Sequence, residues 1–175
     1  MSEKKEIDFS RIKLLVMDVD GVLTDGTVLI NSDGSESKFF SIVDGHGVKL
    51  WHRVGLQTAI ISGRPSDATT VRAEQLNIGH VLQGCKKKLP AYEGLLAELS
   101  LEADQTAFIG DDLLDIPLAR RAAFGAASAN AVEELKQYAD YVTENPGGSG
   151  AVREVIEHIL KRTGKWDGLM ERYLV

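Results

Sequence analysis

Short apolar runs recur along the chain with helix-patterned segments between them, and this alternation constrains the fold more than any other feature. IKLLVM (12–17), QTAII (57–61), HVL (80–82), TAFI (106–109), FGAA (124–127) and YV (141–142) read as six strands. The first is nearly continuous in apolar residues, the pattern of a strand buried on both faces. Helices are expected over 47–54, 66–76, 88–99, 113–122, 131–138 and 151–162. Pro65 and Asp67 mark the start of the second, Asn130 is placed to cap the fifth, and Gly164 ends the last. Strands alternating with helices imply an α/β fold with a doubly wound parallel sheet. One departure follows the first strand directly. TVLIN (27–31) and ESKFFSI (36–42) flank Ser32-Asp33-Gly34-Ser35, which reads as a β-hairpin inserted at about 26–41. No repeat or linker divides the 175 residues, so 1–175 is expected to be one domain, with a C-terminal tail at about 163–175.

Composition narrows the function. The net charge of −6 argues against a nucleic-acid partner, which calls for a basic surface. No apolar run approaches the eighteen or so residues that span a membrane. The N-terminus MSEKKEIDFS is polar, a loose leader without the apolar core of a signal peptide, and Cys85 is the single cysteine, so no internal disulfide forms. These features read as a soluble cytoplasmic protein.

Three of the strands end in chemically matched residues. The first ends at Asp18-Val19-Asp20-Gly21, the second at Ser62-Gly63-Arg64, and the fourth at Gly110-Asp111-Asp112, with Asp115 a turn further on. In open parallel sheets, ligands bind outside the carboxyl ends of the strands. Acids and glycines are common wherever a strand stops, but strand-stopping alone does not gather carboxylates at one edge. Carboxylates brought together repel, and a divalent cation relieves the repulsion. Oxygen ligands suit Mg²⁺, often beside a substrate phosphate. Asp18 and Asp111 are therefore metal candidates, and Asp20 is a third through its backbone carbonyl. Asp18 is also placed as a nucleophile that forms an aspartyl-phosphate. Asp20 is then the group that protonates the leaving alcohol and activates water. Ser62 would bind phosphoryl oxygens, and Lys88 would neutralise charge. Asp112 and Asp115 suit either a helix cap or the metal shell. Thr24 reads as a turn residue. Gly45-His46-Gly47 reads as a loop near the site mouth, with His46 a candidate substrate contact. His52, His80 and His158 lack metal-ligand spacing.

Four motifs in order, DVDGVLT at 18–24, Ser62, Lys88 and GDDLLD at 110–115, resemble the haloacid dehalogenase superfamily of phosphatases. Within it, DVDGVLTDG, DGHGVKLW, SGR, QGCKKKL and GGSGAVREV resemble the branch that hydrolyses 3-deoxy-D-manno-octulosonate 8-phosphate (KDO 8-phosphate), whose product feeds lipopolysaccharide synthesis. The resemblance implies a Rossmann-like core without a large cap domain. It also implies a small sugar-acid phosphate as substrate and a homotetramer in which neighbouring subunits cover each active site. The hairpin would be the assembly element. Lys88 is the match within Lys86-Lys87-Lys88. Gly63 and Arg64 then fall at the substrate, where Arg64 can fork onto a carboxylate or phosphate. Sister branches act on nine-carbon sugar acid phosphates, and one relative serves assembly rather than catalysis.

Overall fold

The computed structural model describes residues 6–175. Of the polar leader, residues 1–5 lie outside the described residues, and Phe9–Arg11 form a single 3₁₀ turn. The main sheet holds β1 (Leu14–Met17), β4 (Gln57–Ile61), β5 (His80–Leu82), β6 (Thr106–Gly110), β7 (Phe124–Ala127) and β8 (Tyr141–Val142). All its pairings are parallel, and the strands lie in the order β5-β4-β1-β6-β7-β8. The order reverses beside β1, which makes the crevice between β1 and β6 the switch point of a doubly wound sheet.

Helices cover both faces, as the apolar runs require. Leu15 and Met17 point to one core, with Val48 and Trp51 of α1 (Ile42–Arg53), Leu76 of α2 (Asp67–Leu76), and Val155 and Ile159 of α6 (Ala151–Arg162). Leu14 and Val16 point to the other. They meet Tyr92 and Leu95 of α3 (Lys88–Leu99), Leu118 of α4 (Ile116–Arg121) and Leu135 of α5 (Glu133–Lys136). Successive residues of a strand face opposite sides, and here both sides are dry, with all four β1 side chains fully buried. Burial of each such side chain stabilises the sheet by roughly 1.5–3 kcal/mol. The site at the end of β1 thus rests on a rigid strand.

The hairpin is present as a second, two-stranded antiparallel sheet, β2 (Leu29–Ile30) and β3 (Glu36–Ser37), with Gly34 in the turn at φ +84°. It is shorter than the sequence suggested, because Ser41 caps α1 by accepting the Asp44 N–H at 3.2 Å. That cap corrects the reading of Gly45-His46-Gly47 as a loop, since all three lie inside α1. Their glycines serve packing. A Cβ at Gly45 would stand 2.5 Å from the Arg72 guanidinium, and one at Gly47 would stand 3.1 Å from the Arg153 Cα. The neighbouring Asp44 is buried and structural. Its carboxylate accepts the Gly150 and Arg153 N–H groups at 3.1 and 2.8 Å, capping α6 from α1.

Three further boundaries differ from the sequence reading. The helix expected from 113 starts as a 3₁₀ turn, Leu113–Asp115, before α4. The helix expected from 131 is confined to Glu133–Lys136, and Asn130 does not cap it. The tail forms α7 (Lys165–Met170) and a 3₁₀ turn, and packs on α1 and α6. There Trp166 lies under the Arg153 guanidinium and the Lys161 ammonium. The Tyr173 hydroxyl accepts from Arg53 at 2.6 Å.

Candidate active site

The loop after β1 is wound tightly around one carbonyl. The N–H groups of Val22, Leu23 and Thr24 all donate to Val19 O. The Thr24 hydroxyl accepts from the N–H groups of Gly21 and Gly26 at 3.3 and 3.2 Å, so Thr24 is the turn residue its motif suggested. Gly21 has φ +85°, and a Cβ there would stand 2.0 Å from Asp111 Oδ2. Glycine is thus required twice, for the backbone and for the Asp111 carboxylate that reaches over it. From the other side, the loop Pro146–Gly150 presses on the same turn. A Cβ on Gly147 would meet Gly21 O at 2.0 Å. Asn130 locks these two loops together, its amide donating to Gly21 O at 3.0 Å and accepting from Gly147 N–H at 2.6 Å. Those bonds occupy both ends of its side chain, and this is why it is not a helix cap.

Asp18 closes β1, with its N–H donating to Ile109 O at 3.1 Å. Lys88, at the start of α3, reaches across with its side chain only 3% exposed. Its ammonium lies 2.8 Å from Asp18 Oδ1 and 2.6 Å from Asp115 Oδ1. Asp115 is fully buried, and its other oxygen accepts the N–H groups of Asp111 and Asp112 at 2.9 and 3.2 Å. Asp115 therefore caps the turn and holds Lys88 at once. Carboxylate oxygens of Asp18, Asp111 and Asp115 all lie within 4.8 Å of one another. Burial raises Asp18 above the usual carboxylate range, and Asp115 adds to the rise against the pull of Lys88. Asp111 is raised too, by burial first and then by Asp18 and Asp115.

This cluster sets three carboxylates against one ammonium. Both oxygens of Asp115 are already committed to Lys88 and to backbone N–H groups. The donors left for a cation are on Asp18 and Asp111, hard oxygens beside an excess of negative charge. That chemistry fits a divalent ion of the Mg²⁺ type.

A cleft of about 310 Å³ opens over the cluster. Asp18, Asp20, Ser62, Gly63, Arg64, Lys88 and Asp111 all line it, as does Asp112. Three strand ends and the start of α3 are therefore brought together. Ser62 is buried, with its hydroxyl within 3.3 Å of the Arg64 N–H and 3.1 Å of Arg64 O, which shapes the Ser62-Gly63-Arg64 turn. Arg64 is half exposed and donates to Glu36 of the hairpin at 2.9 Å.

His46 is not brought to this cleft. It lines a separate pocket of about 230 Å³ with Arg153, Trp166 and Tyr173, its Nε2 3.1 Å from the Tyr173 hydroxyl. Lys38, which the sequence reading passed over, does enter the site. Its ammonium lies 2.6 Å from Asp20 Oδ1, and its side chain is fully buried. The available signal was spacing: Glu36 and Lys38 are two apart in an extended segment and so share a face.

Residues 61–156 match the family model for haloacid dehalogenase-like hydrolases. The chain is also 40% identical over 156 residues to the 3-deoxy-D-manno-octulosonate 8-phosphate phosphatase KdsC of Escherichia coli, covering 89% of this chain and 83% of the relative. It belongs to the haloacid dehalogenase-like hydrolases. Among solved structures, this phosphatase is similar to the 3-deoxy-D-manno-octulosonate 8-phosphate phosphatase of Moraxella catarrhalis, in complex with magnesium, phosphate and KDO. The TM-score is 0.92 at 42% identity, over 94% of this chain and 95% of the other. It is similar too to the cobalt-bound enzyme of Haemophilus influenzae, with a TM-score of 0.86 at 36% identity, over 90% and 92%. The six-stranded parallel core expected from the sequence is the core of this family.

Proposed function

We propose that this phosphatase hydrolyses KDO 8-phosphate to KDO and inorganic phosphate with Mg²⁺, through an aspartyl-phosphate on Asp18. The observation that carries the reading is the Asp18–Lys88–Asp115 chain of contacts at the end of β1, with Asp111 beside it, under an open polar cleft. The substrate follows from the likeness to enzymes that bear this name. Asp18, Asp111 and the Asp20 carbonyl would hold the cation, which supplies positive charge to the phosphoryl oxygens.

The residues divide the work as follows. An oxygen of Asp18 attacks phosphorus in line, and the bond from phosphorus to the sugar oxygen breaks. Asp20 gives its proton to that oxygen, releasing KDO as an alcohol. Asp20, now a carboxylate, takes a proton from water. The water oxygen bonds to phosphorus as the bond to Asp18 breaks, and inorganic phosphate leaves. Lys88 balances charge on Asp18 and the phosphoryl group throughout. Ser62 and the N–H groups of its turn hold phosphoryl oxygens. Arg64 pairs with the substrate carboxylate. His46 faces another pocket of the same chain and has no part in this scheme.

Phosphate release from KDO 8-phosphate and from a nine-carbon sugar acid phosphate, with Mg²⁺ and with chelator, tests the reading. Mg²⁺-dependent preference for KDO 8-phosphate is the expected result. Preference for the nine-carbon ester changes the substrate, and inactivity of the folded protein on both would leave an assembly role.

We propose also that the protein works as a cytoplasmic homotetramer built on the hairpin. Leu29, Ile30, Phe39, Ile42 and Val43 are all more than half exposed along the hairpin and the start of α1, an apolar surface that supports burial against another copy. Among the described residues no helix is long and apolar enough to cross a membrane. Light scattering is expected to give four times the 19.1 kDa chain mass. A monomeric mass at assay concentration would refute the assembly.

A further inference from the structure

The hairpin places a buried ammonium on the residue that is to carry the proton. Lys38 lies just past β3, its side chain is 0% exposed, and its Nζ stands 2.6 Å from Asp20 Oδ1. Among the described residues, the other carboxylate paired with it is Glu36, 3.9 Å away, whose second oxygen is held by Arg64 at 2.9 Å. Burying a Lys side chain costs its rotamer freedom and much of its hydration. A hairpin needed only as a surface element would leave that ammonium in water.

We propose that Lys38 is a positioning residue for Asp20: it holds Oδ1, so that Oδ2 is the oxygen that carries the proton to the leaving alcohol. The inference rests on the reading of Asp20 as the proton carrier. A carboxyl group has two oxygens, and an ammonium can only donate. While Lys38 donates to Oδ1, a proton on Asp20 resides on Oδ2. When Oδ2 passes it to the sugar oxygen, the O–H bond on Asp20 breaks and one forms on the leaving group. The carboxylate that remains keeps its Lys38 hydrogen bond. The same contact serves the return step, in which Oδ2 takes a proton from water. Asp20 thus keeps one orientation through both half-reactions, and the hairpin becomes part of the catalytic apparatus of its own chain. Misplacing a proton donor by about 1 Å costs on the order of 10²-fold.

The test exploits the leaving group. An alkyl phosphate expels a poor leaving group and needs the proton. 4-Nitrophenyl phosphate expels a stabilised phenolate and needs it far less. Lys38→Met is expected to lower kcat/KM on KDO 8-phosphate by about 10²-fold and to leave kcat/KM on 4-nitrophenyl phosphate nearly unchanged. The quantity compared for every variant is kcat/KM, because it covers the expulsion of the leaving group and not the return step that both esters share. Lys38→Arg, which keeps a charged donor and guards against loss of folding in the Met variant, is expected to show a smaller selective loss. Equal losses on both esters, equal losses for Met and Arg, or unchanged rates would each overturn the proposal. Asp20→Asn separates this from the parent reading. Selective loss in Asp20→Asn without selective loss in Lys38→Met sinks the Lys38 role alone. Non-selective loss in Asp20→Asn sinks the proton-carrier reading beneath it.

Discussion

Replacing Asp18 by asparagine is expected to lower kcat by about 10⁶-fold, the scale on which removal of a nucleophile is felt, while leaving the unfolding midpoint at or above the wild-type value. The two halves have different causes. An amide has no charged oxygen to bond to phosphorus, so the covalent route closes. Stability moves the other way. Asp18 is buried beside Asp111 and Asp115, and its ionised form is disfavoured by burial and by Asp115. Asparagine keeps the shape and removes one of three crowded negative charges, so the metal-free fold loses repulsion. It also loses one half of the Lys88 clamp, but Lys88 keeps Asp115 at 2.6 Å. Activity and thermal unfolding of the variant, measured side by side without metal, check the expectation. An active variant sinks the mechanism, and an inactive variant that melts far below wild type would show that the loss came from folding.

The same cluster explains how much of the molecule was legible in the sequence. The strands were, because a strand buried on both faces must be apolar at every position, as Leu14–Met17 are. The convergence of Asp18, Ser62, Lys88 and Asp111 on one cleft was legible because each stands at a strand end or helix start, and a doubly wound sheet brings those ends to one edge. What failed to show depends on contacts distant in sequence. Asp115 suited either a cap or the metal shell; it caps its turn, and the same carboxylate holds Lys88, 27 residues away. Asn130 looked like a cap and is instead a strut to Gly21, 109 residues away. Gly45 and Gly47 looked like loop glycines because the reason for them is on α2 and α6. Spacing puts Lys38 on one face with Glu36, but only the folded chain brings it to Asp20.

Lys88→Met is expected to move activity and metal response in opposite directions. Lys88 is buried, and although burial alone would lower its pKa, Asp18 and Asp115 raise it, so the ammonium is held charged. Methionine fills much of the same space without the charge. Removing one partner of a buried ion pair leaves an uncompensated charge and costs about 3–5 kcal/mol. Here the metal-free variant retains Asp18, Asp111 and Asp115 with no cation among them, so its melting point falls. A divalent ion now meets stronger negative potential, because the ammonium that competed for Asp18 is gone. A ligand that binds the folded state stabilises it by RT ln(1 + [L]/Kd), so tighter binding shows as a larger shift at the same concentration. Mg²⁺ is therefore expected to raise the melting point of Lys88→Met by more than that of wild type. Turnover nevertheless falls by about 10²–10³-fold, because a preorganised positive charge beside the phosphoryl group is lost. Melting curves at matched Mg²⁺ concentrations, with phosphate release on the same samples, decide the matter. Near-wild-type turnover would move the role to Lys86 or Lys87, and an unchanged Mg²⁺ shift would mean that Lys88 and the cation do not share Asp18.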